Sequence, residues 1–284
     1  MFSARWRLVA ALLTVWLVWG STYYAIRVSL EGFPPFGMAS VRLCIAGGLL
    51  LAWAWWRGHP WPDRKPLLLV SGAGVLNFLG GNGSVVWAEQ TVSSGLVAIL
   101  VGVVPVYTAA MAPFFGAPVT LRQWGGIALG VAGVVVLNAG GELTGSSGVT
   151  LALTVGSISW ALGSMIAKSN PLTTAAITSG VQMVAGGLAL AIAAIATGEA
   201  APADPPMRAV VAVIYLITFG SMLGFSAYSY LLKHASIAVA TSYAYVNPVV
   251  AVLIGASLGG ETLGPSGWAG LGVIVAAVGL VLKR

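Results

Sequence analysis

Trp16, Gly20, Tyr23 and Arg27 lie in one long apolar stretch at a 4-3-4 spacing. That spacing sets all four on one face of a helix. An indole, a phenol and a guanidinium on such a face can stack on a ring, hold a polar group and attract an anion. Isolated amides add to this chemistry, with Asn77, Gln182 and Asn247 each embedded in apolar sequence. These groups bind small molecules; they do not break bonds. The sequence has no P-loop, HExxH or G-x-S-x-G pattern, so ATP hydrolysis and intramembrane proteolysis lack support. His59 and His234 lack metal-ligand spacing, and Cys44 is the only cysteine. We therefore expect no cofactor and no metal, and read Cys44 as a small buried thiol.

The elements that carry these groups follow from composition. Of 284 residues, 58% are hydrophobic and 7% charged, with a mean hydropathy of +0.94. Soluble domains carry about 25% charged residues, so a polytopic membrane protein remains. A span needs about 20 apolar residues, and a short connection about 2–8. This chain then holds roughly ten spans and no extramembrane domain. We place them at 8–28, 36–56, 66–88, 93–115, 122–139, 149–168, 173–197, 209–232, 236–258 and 265–282. Breaks at Gly32 to Pro35, His59 to Pro66, Gly140 to Gly148, Glu199 to Pro206 and Gly259 to Pro265 support the division. Runs of this length exclude barrel strands, so the fold is all-α. The basic start at Arg5 and Arg7 lacks a following A-x-A site, and we read it as part of a retained first span.

Charge orients the bundle. With the N-terminus inside, the inner ends hold Arg5, Arg7, Arg57, Arg64, Lys65, Arg122, Lys168, Lys233, Lys283 and Arg284. Only Arg208 falls in an outer loop, with Arg27 and Arg42 near the outer ends of the first two spans. The Lys/Arg bias sets both termini in the cytoplasm. The formal charge of +6 is scattered and makes no nucleic-acid patch.

A shift of 143 residues carries Gly20-Ser21 onto Gly163-Ser164, Gly81 onto Gly224, Ser93 onto Ser236 and Pro105 onto Pro248. The offset is half the chain, which makes the repeat unit five helices. An odd unit enters from the opposite face in its second copy, giving two inverted five-helix repeats over 1–139 and 149–284. That architecture predicts a midplane substrate site and alternating access.

Trp19-Gly20-Ser21-Thr22-Tyr23, Gly81-Asn82-Gly83, Ala88-Glu89-Gln90, Ser157-Ile158-Ser159-Trp160-Ala161 and Thr241 to Pro248 through Gly260-Glu261-Thr262-Leu263 resemble the EamA family. This is the ten-helix branch of the drug/metabolite transporter superfamily, and the likeness is to its YedA/YddG-like exporters. It covers essentially the whole chain. The resemblance implies a bacterial inner-membrane exporter of metabolites, with amino acids the best substrate guess.

Counting about 1.5 Å per residue into a roughly 30 Å core sets Trp19, Asn77, Trp160, Gln182 and Asn247 near mid-membrane. Each amide there is either a ligand contact or glue between helices. Trp19 and Trp160 stand at matching depths and suggest facing walls of one cavity. The candidate substrate contacts are Trp19, Gly20, Tyr23, Asn77, Asn82, Trp160, Ser164, Gln182, Thr241, Tyr245 and Asn247. Pro105 and Pro248 are candidate gates, since each kinks its span. Gly126, Gly130 and Gly133, and Gly272, Ala276 and Gly279, form small-residue seams for the closing helices. Arg27 and Arg42 either attract a carboxylate or snorkel to headgroups.

No acidic residue lies mid-span, and Glu89 and Glu261 stand at outer ends. Coupling through a buried carboxylate is thus disfavoured, and facilitated export or exchange is expected. The partners are a small-molecule substrate and the lipid bilayer, with monomer and dimer both open. Neutral or aromatic amino acids are the expected cargo. The alternatives are a multidrug exporter of flat organic cations and, remotely, an intramembrane enzyme or a channel.

Overall fold

The computed structural model describes residues 4–116, 120–139 and 147–282, and among these every regular element is helical. The first two helices are α1 (Ala4–Ser29) and α2 (Pro35–Trp56), the second starting with a proline at its first turn, where no donor is lost. Helix α3 (Arg64–Val75) runs on through a π segment, Leu76–Asn82, into α4 (Gly83–Ala88). The fourth apolar run is divided into α5 (Ser94–Val101) and α6 (Val104–Met111), and α7 (Leu121–Ala139) closes the first half. The second half holds α8 (Ser147–Ser169), α9 (Ala175–Ala196) and α10 (Met207–Tyr215). Another π segment, Leu216–Leu223, leads into α11 (Gly224–His234). The chain ends with α12 (Ile237–Ala240), α13 (Tyr243–Gly259) and α14 (Pro265–Leu282). Among the described residues, seven helical runs are long and apolar enough to cross a membrane. Three shorter apolar runs, Trp124–Gly133, Val246–Gly259 and Pro265–Ala277, accompany them.

Apolar side chains face outward as well as inward, as lipid requires. On α2, Val41, Ile45, Leu49 and Trp53 make an exposed stripe at four-residue spacing. Trp53, Trp55, Trp56, Trp61, Trp124 and Trp268 are all exposed, as belt residues should be. Inside the bundle, α2 packs on α9, α7 on α14 and α1 on α13. Glycines allow these approaches: a Cβ on Gly47 would sit 2.9 Å from the Gly180 carbonyl oxygen, and one on Gly187 2.7 Å from the Cys44 sulfur. On the α7–α14 seam, a Cβ on Gly133 would meet Ile274 at 2.8 Å. Gly272 has open space beside it, so it contributes nothing to that seam.

One end of the bundle gathers the turns around His59, Pro60 and Thr173, where Lys233 Nζ donates to the Leu172 and Thr173 carbonyls. The opposite end is acidic. There Glu31 pairs with Arg208, while the Glu261 carboxylate accepts from Ser94 N (3.1 Å), Ser94 Oγ (2.9 Å) and Gly95 N (3.3 Å). Glu199 accepts from Phe36 N at 3.0 Å and Gly37 N at 2.7 Å, capping α2 from 162 residues away. A carboxylate at a helix N-terminus satisfies donors that the helix leaves open and favours its dipole. Losing a cap costs about 0.5–2 kcal/mol. Glu199→Ala should therefore lower the melting temperature measured in detergent, and Glu199→Asp should lower it less. An unchanged melting temperature in the alanine variant would show that this long-range cap contributes nothing.

Candidate functional site

Both π segments border the same central space. A π turn leaves backbone carbonyls without helical partners, and such turns cluster at functional sites. The Gly220 carbonyl, in the second segment, accepts from Trp19 Nε1 at 3.1 Å. Gly81, in the first, lies under Trp160: a Cβ there would be 2.7 Å from the indole. The arrangement recurs with roles exchanged, because a Cβ on Gly224 would lie 2.5 Å from Trp19 Nε1.

The two indoles meet edge-on with centroids 5.5 Å apart. Phe225 stacks on Trp19 at 6.1 Å, and Tyr228 and Tyr243 lie 5.0 and 5.2 Å from it. Phe78 adds another edge-on contact to Trp160 at 6.2 Å. Above this aromatic group, toward the acidic end, opens a cavity lined by Trp19, Thr22, Tyr23, Ile26, Arg42, Phe78, Asn82, Ser157, Trp160, Ser221, Phe225, Tyr243 and Asn247, among others. Toward the Lys233 end, hydrogen bonds join neighbouring helices. Tyr228 donates to Ser164 Oγ at 2.8 Å, Trp16 Nε1 to Ser242 Oγ at 3.1 Å, and Lys168 Nζ to the Leu232 and Ala235 carbonyls.

Of the sequence-derived candidates, Trp19, Tyr23, Asn82, Trp160 and Asn247 line the cavity. Asn247 also joins helices, since the amide orientation that satisfies its surroundings donates to Trp16 O at 2.9 Å and Tyr243 O at 3.3 Å. The other candidates lie elsewhere. Gly20 is a packing position, where a Cβ would stand 2.6 Å from Val250. Asn77 Nδ2 donates to Gln182 Oε1 at 2.9 Å, so these two amides serve each other across α9. Ser164 is taken by Tyr228, and Thr241 Oγ1 bonds back to Ile237 O at 2.9 Å. The Tyr245 side chain lies outside the described residues.

The two prolines occupy unlike places in their spans. Pro105 falls in the first turn of α6, directly after a break at Gly102 and Val103. Pro248 lies inside α13, which runs on through it; the break comes earlier, at Thr241 and Ser242. Both hydroxyls there bond to preceding carbonyls, Ile237 O and Val239 O, and so compete with helical pairing. The two proline-bearing segments touch, since a Cβ on Gly102 would lie 3.2 Å from the Pro248 ring.

Two charged residues lie deeper than their place in the sequence suggests. Arg42 is 5% exposed and turns into the cavity, so it does not snorkel. Glu89 is fully buried, with neither carboxylate oxygen hydrogen-bonded, although it follows the last residue of α4. Arg27 donates to the Glu89 main-chain carbonyl, and both residues line a second pocket at the acidic end. Among the described residues, no three His, Cys, Asp or Glu come together as a metal ion would require.

Comparison with known proteins agrees with this architecture. The chain is 46% identical over 275 residues to the uncharacterized inner membrane transporter YedA of Escherichia coli K12, covering 96% of this chain and 90% of that one. It is 27% identical to a probable terminal-alkyne amino-acid exporter of Streptantibioticus cattleyicolor, covering 99% and 94% of the two chains. A crystal structure 17% identical to it superposes with a TM-score of 0.71 over 98% of both chains, a likeness of fold alone. The EamA-like transporter family matches residues 6–139 and again 146–283. An all-helical multi-pass bundle with a central cavity lined by aromatic side chains, matched twice along its length, belongs to the EamA-like transporter family.

Proposed function

We propose that the chain is a secondary transporter of the inner membrane that exports neutral or aromatic amino acids by alternating access. The observation that carries this reading is the central cavity: aromatic rings form its floor, and polar groups of Arg42, Asn82, Ser157 and Ser221 stand in its walls. An amphipathic metabolite has both halves matched there, the body on the rings and the polar end among the donors. The Streptantibioticus relative, a probable terminal-alkyne amino-acid exporter, supports the same substrate class.

In this reading ten spans form two inverted five-helix repeats with both termini cytoplasmic. The paired family matches, the exchanged Gly81–Trp160 and Gly224–Trp19 contacts, and the two π segments all support it. The cavity then opens toward the outer, acidic end, while the Tyr228, Trp16 and Lys168 ties close the inner one. Of these ties the Trp16–Ser242 bond joins the two halves, and rocking them must break it to admit substrate from inside. An exporter of organic cations fits less well, because the cavity wall carries a guanidinium.

Counterflow in proteoliposomes tests the proposal. Vesicles loaded with one unlabelled amino acid should accumulate its labelled form without a proton gradient, and choline or tetraphenylphosphonium should not compete. Competition by the cations, with no amino-acid exchange across the panel, would favour the multidrug reading instead.

A further inference from the structure

We infer that Arg42 is the carboxylate receptor of the central cavity, which restricts the cargo to amphipathic molecules bearing that group. This deepens the transport reading above and rests on it. The argument begins with unspent hydrogen-bonding capacity. A guanidinium stays charged in proteins and carries five N–H donors. Arg42 Nη2 donates to Asn82 Oδ1 at a long 3.4 Å, whereas Nε and Nη1 are buried without any partner. Buried donors are nearly always paired, so each exception calls for an explanation.

The counter-charge is not in contact. Glu89 lies within electrostatic reach of Arg42, together with Arg27 and Glu261, but no ion pair joins Glu89 to Arg42. Glu89 lines the pocket at the acidic end, whereas Arg42 lines the central cavity. A carboxylate near the guanidinium but not bonded to it offsets its charge while leaving Nε and Nη1 free to bond. Two more hydroxyls share this condition, as does Trp160 Nε1. Ser157 on α8 and Ser221 on the second π segment are 3% and 2% exposed, line the same cavity, and have hydroxyls without partners.

The cavity wall thus presents one cation and two open hydroxyls, and its floor presents Trp19, Trp160 and Phe225. A carboxylate accepts charge-assisted hydrogen bonds from a guanidinium, stronger than those between neutral groups. The apolar body of the same molecule packs on the rings. An amide of equal size offers only a neutral carbonyl acceptor, and an amine offers no acceptor and adds like-charge repulsion. Sites built around a polar contact reject the analogue lacking it more strongly than sites built on apolar fit.

The test uses the full chain in nanodiscs, read by tryptophan quenching and by competition. Its probes are L-phenylalanine, L-phenylalaninamide and 2-phenylethylamine, with L-leucine, L-leucinamide and isopentylamine as a second series. The wild type should bind each acid at least tenfold more tightly than its amide or amine. Arg42→Gln should remove that preference by weakening the acids alone, and Arg42→Lys should restore part of it. Should Arg42→Gln fail to fold, Ser157→Ala and Ser221→Ala must each narrow the same acid-to-amide ratio. Equal wild-type binding of acid and amide, or a preference that survives Arg42→Gln, overturns the assignment while leaving the transport reading standing. Binding of none of the six probes, with no counterflow of any amino acid, overturns both.

Discussion

An alanine at Gly74 is expected to stop α3 from docking on α9, whereas an alanine at Gly72 should leave the transporter intact. A Cβ on Gly74 would fall against the Gln182 carbonyl oxygen, 2.5 Å from its Cα and 2.8 Å from its carbonyl carbon. All three atoms are backbone, so no rotamer change can relieve the contact. Overpacking a core costs about 1–3 kcal/mol, and more where nothing can yield. Gly72 faces open space, with nothing within 4 Å of a Cβ built there. Its replacement gains about 0.5–1 kcal/mol of helix propensity. The displaced contact also lies next to the Asn77–Gln182 amide pair, whose 2.9 Å bond needs the two helices at their present separation. Gly74→Ala should therefore lose monodispersity in detergent or melt at least several degrees lower, since 1 kcal/mol moves a chain of this size by about 2–4 °C. Gly72→Ala should match or slightly exceed the wild type. Equal melting of both variants would mean that the α3–α9 approach is not backbone-limited.

That pair of amides shows where sequence reasoning stops. Depth along a span is legible, because rise per residue is fixed, and Trp19, Trp160 and Asn247, chosen by depth, line one cavity. Depth does not say which way a side chain faces. Asn77 and Gln182 are turned to each other, Nδ2 donating to Oε1, so part of what a ligand would otherwise supply comes from within the protein. Arg42 went the other way. Snorkelling was open to it on depth alone, yet α2 turns the face holding Met38, Ala39, Arg42, Ala46, Gly47 and Ala54 inward. The signal was present, since that face is rich in small residues while Val41, Ile45 and Leu49 mark the lipid side. Glu89 was misjudged in the same manner. Its place at the end of a span suggested water, but the packed Arg27 and the neighbouring helices cover it.

The π segments were less accessible still. Each inserts a wider turn that shifts every later side chain on its helix relative to a regular α-helical count, and no apolar periodicity reports it. Gly80-Gly81 and Gly220 are the only local hints, because glycine weakens helical pairing. Ser221 and Phe225 reached the cavity through this shift and were absent from the candidates chosen by depth. The prolines fall at unlike places, which spacing alone does not report: Pro105 starts a new helix after a break, while Pro248 is carried inside one.

Removing Trp160 should have two effects that can be separated. Its ring touches Trp19, Phe78, Phe225 and Tyr228 with centroids between 5.5 and 6.2 Å, so it belongs both to the bundle's centre and to the cavity wall. Truncating a packed tryptophan to alanine costs about 3–5 kcal/mol through the void it leaves. One aromatic contact to a substrate is worth about 0.5–1.5 kcal/mol, which corresponds to roughly a two- to twelvefold loss of affinity. Stability therefore bears the larger change in Trp160→Ala, and affinity alone cannot be read from that variant. Trp160→Phe keeps an aromatic face over Gly81 and fills most of the void. It should hold most of the melting temperature and still weaken binding of an aromatic amino acid, because the smaller ring leaves less surface to stack on. Arg5→Ala is the control; Arg5 is exposed on the first turns of α1, remote from the cavity lining. Quenching titrations and melting curves on the three variants give the two axes independently. If Trp160→Phe keeps wild-type affinity for aromatic and aliphatic amino acids alike while Trp160→Ala loses stability, the ring is a packing element and substrate stacking falls to Trp19 and Phe225. If Trp160→Phe weakens binding without a fall in melting temperature, Trp160 touches the substrate, and Gly81 is glycine because the indole must lie flat above it.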